Sequence, residues 1–97
     1  MTPPIKRLVI DILKPHEPEI TEFAKAVTDT AGVDGANATL LETDREVQNV
    51  KITIEGDDID QDEVEEAVGK LGGTVHSIDQ VVCGDRVIEQ SDTPQDT

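Results

Sequence analysis

The stretch from Glu55 to Ala67, EGDDIDQDEVEEA, carries eight carboxylates in thirteen positions, a density suited to an oxygen-seeking cation such as calcium. A calcium loop places aspartates at alternate positions, a glycine at the sixth and a bidentate glutamate at the twelfth. Counted from Asp58, the stretch supplies Asp60 and Asp62, but Glu63 stands where the glycine should be and Gly69 where the glutamate should be. The loop is broken at both places that define it. A helix start accounts for the same residues, with Asp60 as N-cap, Glu63 completing a capping box, and Ile59 with Val64 as a hydrophobic staple. Carboxylates in a first helical turn also favour the helix dipole, by roughly 0.3 to 1 kcal/mol each at low salt.

Imidazole offers a second kind of chemistry. The chain has two histidines, His16 in KPHEP and His76 in GTVHS, and imidazoles joined by carboxylates bind divalent cations. Whether they meet depends on the elements that carry them.

Leu8, Ile10 and Ile12 alternate with Arg7, Val9 and Asp11, so Ile5 to Leu13 reads as a strand with one buried face. Pro15 and Pro18 end it, and Pro18 is expected as the first helical residue, where a missing N–H costs nothing. Ile20, Phe23, Ala24, Val27 and Ala31 then form one helix face, closed by Gly32. Ala36, Ala38 and Leu40 mark a second strand, ETDREV a hairpin, and Val50, Ile52 and Ile54 a third strand against Asn49, Lys51, Thr53 and Glu55. Val64, Ala67, Val68 and Leu71 mark a second helix ending at Gly72-Gly73. A last strand runs from about Thr74 to Cys83, with Val87 and Ile88 placed to resume it. Ile78, Val81 and Val82 cannot share one face there without a bulge. The segment 91–97, SDTPQDT, has no apolar residue and reads as a disordered acidic tail, which leaves residues 1–90 as one domain.

The order βαββαβ is best satisfied by an α+β, ferredoxin-like domain: a four-stranded antiparallel sheet of order 4-1-3-2 with both helices on one face. This order brings Asp11 and His16, the hairpin acids Glu42, Asp44 and Glu46, and His76 to one edge. These six are the candidate metal ligands, for a divalent cation such as calcium. The plainer alternative leaves His16 on a proline turn, His76 at a strand end and the acids in water. On the uncovered sheet face, Arg7, Asp11, Lys51 and Glu55 suggest a cross-strand charge ladder, with Val9, Leu13 and Leu41 adding apolar surface for another subunit. Cys83 is expected to be a small buried filler. His76, Ser77 and Asp79 lie on one strand, where neighbours point oppositely, and make no triad. With no activated nucleophile or acid–base pair, the reading is non-enzymatic.

Composition narrows the setting. The net charge is −14, from 22 acidic and 8 basic residues, and a surface so negative repels phosphate backbones, which excludes nucleic acid as a partner. One cysteine forms no internal disulfide, and no apolar run approaches membrane-spanning length, so a soluble cytoplasmic protein is expected. Self-repulsion of this size is best tolerated in a saline, halophilic cytoplasm. The core must be aliphatic, because Phe23 is the only aromatic residue.

Three segments, DILKPHEPEI, VKITIEGDDID and GGTVHSIDQVVCG, together resemble the small archaeal domain-of-unknown-function family 211 over residues 5 to 88. The resemblance implies a ferredoxin-like fold, an archaeal cytoplasm, ring-like homo-oligomers and binding of divalent cations such as calcium. It implies no activity and supplies no catalytic residues. The extra acidity and polar tail look like those of a halophilic member. Two functional expectations follow: a non-enzymatic, self-assembling protein holding a divalent cation, or a regulatory module with a small-molecule effector at its subunit interfaces.

Overall fold

A computed structural model describes residues 2–91 of the chain. The elements run β1 (Ile5–Pro15), α1 (Ile20–Thr28), β2 (Val33–Thr43), β3 (Val47–Gly56), α2 (Gln61–Lys70) and β4 (Thr74–Cys83). The sheet is antiparallel at every pairing, in the order β2-β3-β1-β4. Read from the other edge this is 4-1-3-2, the expected ferredoxin-like arrangement.

Alternation explains the layers. Leu8, Ile10 and Ile12 of β1 pair in register with Ile54, Ile52 and Val50 of β3, and all six are buried beneath the helices. Phe23 and Val27 of α1 and Ile59, Val64 and Val68 at α2 close the core from above. Asp60 caps α2 as expected, its Oδ1 accepting from the Glu63 N–H at 3.1 Å. The other half of the capping box is not made. Glu63 instead accepts from the Ala31 N–H, and the Asp60 N–H donates to the Ala31 carbonyl, so the cap ties α2 to the α1–β2 connection.

Other expectations need correcting. Helix α1 starts at Ile20 with extended Glu19 as its N-cap, so Pro18 lies before the helix and not in its first turn. Cys83 is exposed, and Val82 is the buried residue at the end of β4. The extra β4 residues His76 and Asp79 set this facing: beyond them Val81 comes opposite Leu8 and Val82 opposite Arg7, on the sheet face away from the helices, while Cys83 pairs with Ile5 past an unmatched Lys6 on β1. Val87 and Ile88 do not resume the strand. They are exposed on a segment, 84–91, that turns back over the uncovered sheet face. The tail expected beyond residue 91 lies outside the described residues.

Candidate functional site

At the upper end of the sheet, β1 outruns β4: Leu13 pairs with Thr74, and Lys14 and Pro15 pair only with β3, opposite Gln48 and Val47. The hairpin from β2 to β3 is short, closed by the Asp44 N–H donating to the Val47 carbonyl at 2.8 Å. His16 Nε2 lies 2.7 Å from the Asp44 carbonyl oxygen. A carbonyl can only accept, so Nε2 carries the proton and Nδ1 is the nitrogen left for a ligand. Glu42 is exposed on β2 opposite Asn49, and Glu46 is exposed in the turn.

Asp11 and His76 belong elsewhere. Asp11 sits mid-strand between Lys51 and Ser77, and its carboxylate accepts from Asn49 Nδ2, which also donates to the Ile12 carbonyl. His76 is the extra residue of a β4 bulge, since Asp11 pairs with Ser77 and Ile12 with Val75. From that point to the end of β1 is roughly 10 Å at the strand rise of ~3.3 Å per residue. The fold therefore joins His16 to Asp44 and sets His76 beside Asp11, without gathering all six. Among the described residues no three His, Cys, Asp or Glu side chains are grouped to hold a metal ion. The six do not fit a closed coordination shell within one copy.

Directly below these residues lies Lys14, which side-chain type alone would place in water. It is 1% exposed. Its Nζ donates to the Pro15 carbonyl at 2.8 Å and to Gln48 Oε1 at 2.7 Å, and sits 5.4 Å from the Phe23 ring centre. Burial pushes its pKa below the ordinary lysine value, because both acceptors are neutral and Glu17 and Glu19 oppose the shift only through their fields.

The uncovered face has its own organiser at the lower end. Arg7 Nε donates to Glu55 at 2.7 Å, while Nη1 and Nη2 donate to the two carboxylate oxygens of Glu89 at 2.8 and 3.0 Å. This fork straps segment 84–91 onto the sheet, helped by the Gly84 N–H donating to the Pro4 carbonyl at 2.9 Å. Hydrogen bonding to Arg7 holds the Glu89 carboxyl below its usual range, and Glu89, then Glu55, stabilise the guanidinium charge in return. Half of the expected ladder is thus present. The other half is not: Asp11 and Lys51 are register partners, but the carboxylate is engaged by Asn49.

Both sheet edges are bare among the described residues. On β2, Leu40 and Leu41 are 47% and 46% exposed, and on β4, Ile78 and Val81 are 41% and 46% exposed. Among the described residues no helix is long and apolar enough to cross a membrane.

The family model of domain-of-unknown-function family 211 (DUF211), described as "Uncharacterized ArCR", matches residues 6–97. The chain belongs to DUF211. It is 54% identical over 92 residues to Uncharacterized protein MJ0319 of Methanocaldococcus jannaschii, and that span covers 95% of each chain. The DUF211 match runs from β1 past the strap, so the returning segment falls within the family's extent as fully as the sheet does.

Proposed function

We propose that this DUF211 chain is a non-catalytic protein that works as a self-assembled homo-oligomer, its copies joined edge to edge through their sheets. The observation that carries this is the pair of unpaired edge strands, each bearing large exposed aliphatic side chains. Bare edges with apolar flanks are a liability in a monomer and a template for pairing with another chain. The two edges differ, so a contact from β2 of one copy to β4 of the next is heterologous, and such contacts close into rings when their rotation permits. A charge of −14 on every copy opposes assembly until salt screens it, which supports a saline cytoplasm as the working environment. A divalent cation such as calcium would draw on His16 Nδ1 and the hairpin acids Glu42, Asp44 and Glu46, with further donors from a neighbouring copy.

Native mass spectrometry and size-exclusion chromatography in concentrated salt test the reading, with calcium added or chelated in parallel. The wild-type chain should run as a closed oligomer. Leu40→Lys and Ile78→Lys should each run as monomers, and a mixture of the two should give heterodimers and nothing larger, because each variant keeps the edge the other has lost. A wild-type chain that stays monomeric at every salt and protein concentration overturns assembly. Spectra without retained calcium at any assembly state remove the cation.

A further inference from the structure

The uncovered face holds a cleft of about 400 Å3 whose floor is Val9 and whose wall includes Gln90 of the strap. Val9 pairs with Thr53 on β3 and Gln80 on β4, so the cleft spans the central strand from one neighbour to the other. Its two cations are not equivalent. Arg7 is already engaged with Glu55 and Glu89, whereas Lys51 makes no side-chain hydrogen bond or salt bridge among the described residues, its register partner Asp11 being held by Asn49. On the far side of β1 from Lys51 the same cleft is lined by Asp79, the extra residue of a β4 bulge between the levels of Val9 and Ile10, one to two residues along from the Asp11 level that Lys51 occupies. Asp79 Oδ1 accepts from the Ser77 hydroxyl at 2.9 Å, and its other oxygen has no partner among the described residues.

We propose that this cleft binds a free α-amino acid, with the ligand carboxylate on Lys51 and the ligand ammonium on Asp79. The spacing suits it: two strand separations of ~4.8 Å across and about one and a half residues along, at ~3.3 Å each, set Lys51 and Asp79 about 11 Å apart at the backbone. Two charge-assisted hydrogen bonds of ~2.8 Å and the short body of a zwitterion fill that interval. Charge selects the class as well. The field of a chain at −14 repels free anions, and Lys51 repels a simple cation, but a molecule with no net charge meets neither barrier while satisfying both side chains. Gln80 Oε1 already accepts from Arg7 Nη1 at 3.5 Å, which leaves the Gln80 NH2 group and the Gln90 amide on the cleft wall for the ligand's side chain, and the Arg7–Glu89 fork keeps Gln90 in place.

The test is a panel of the common amino acids added at millimolar concentrations to the full-length, isotope-labelled protein, read by amide chemical shifts and calorimetry. At least one member should bind and move the signals of Val9, Lys51, Gln80 and Gln90. Its N-acetyl and carboxamide derivatives, each stripped of one charge, should bind at least about tenfold more weakly, as loss of one charge-assisted hydrogen bond requires. Lys51→Met and Asp79→Asn should lower affinity by a similar factor while keeping the folded spectrum. No binding across the panel, shifts mapping away from this face, or undiminished affinity in Lys51→Met would each overturn the proposal. None of these readouts depends on assembly, which the edge variants report separately.

Discussion

Replacing Lys14 separates the two things its side chain does. Lys14→Ala removes three buried methylenes beside Phe23, worth about 2.4 kcal/mol at ~0.8 kcal/mol each, and leaves a cavity that the strand cannot fill. Lys14→Met keeps the buried stem and removes only the ammonium. Two hydrogen bonds to neutral acceptors are lost, but so is the cost of holding an unpaired charge out of water, and the two effects oppose each other at a few kcal/mol apiece. Lys14→Met is therefore expected within about 1 kcal/mol of wild type, and Lys14→Ala about 2–4 kcal/mol below Lys14→Met. Urea unfolding at matched protein concentration, followed by circular dichroism because the chain has no Trp or Tyr, measures both.

The pH dependence supplies a second reading of the same site. In the folded chain the Lys14 pKa lies below its ordinary value of 10.5. Between the depressed value and 10.5 the unfolded chain binds the extra proton, so raising pH through that window stabilises wild type relative to Lys14→Met. The penalty for burying the charge is present in full at pH values under the folded pKa. If Lys14→Met is as damaged as Lys14→Ala, and the gap to wild type does not move with pH, the stem does not carry the packing and the reasoning is refuted.

Four further outcomes are expected. Gly32 has φ 82°, and a Cβ there would fall on the Asp58 carbonyl; Gly32→Ala should cost about 3 kcal/mol, more than the ~1–3 kcal/mol of Gly73→Ala, whose Cβ meets Phe23 and the movable Val68 side chain. Asp60→Ala should lower stability by about 1 kcal/mol and speed amide exchange in the first turn of α2, and an unchanged exchange pattern would contradict the cap. Glu89 should titrate below its ordinary value of 4.5, so the strap's contribution is complete above 4.5 and fades as pH falls through the depressed value; Arg7→Gln should return the titration to normal, as followed by carboxyl carbon shifts. Added sodium chloride should raise the melting temperature up to about 1 M, where the screening length is ~3 Å, and a fall over that range would argue against self-repulsion.

Much of the fold can be read from side-chain order because the relevant forces are local. Leu8, Ile10 and Ile12 bury one face of a strand whatever lies elsewhere, and Asp60 reaches the Glu63 N–H within a single turn. The features that escape reading depend on distant partners or on bulges. The Arg7–Glu89 fork joins residues 82 positions apart, with nothing near either to announce the other. Lys14 lies on the buried face by strict alternation, but its residue type argues for water, and only the Pro15 carbonyl, Gln48 and Phe23 overturn that. The candidate cation site disperses for a related reason. Topology brings β1, the hairpin and β4 to one end as expected, but register decides the final few ångströms, and it stops His76 beside Asp11 instead of beside His16.

The placement of β1 between β3 and β4 also matters while the chain is being made. Of the four strands the first to be synthesised is an interior one, and its earliest permanent neighbour, residues 47–56, emerges some thirty positions later. Its second flank waits for residues 74–83, later still. Throughout that delay IKRLVIDIL is a naked, aggregation-competent ribbon, guarded only by Lys6, Arg7 and Asp11 acting as gatekeepers. Crossing β1 with a charge-neutralising substitution such as Arg7→Gln should therefore reduce the yield of soluble nascent protein more than it weakens the finished domain.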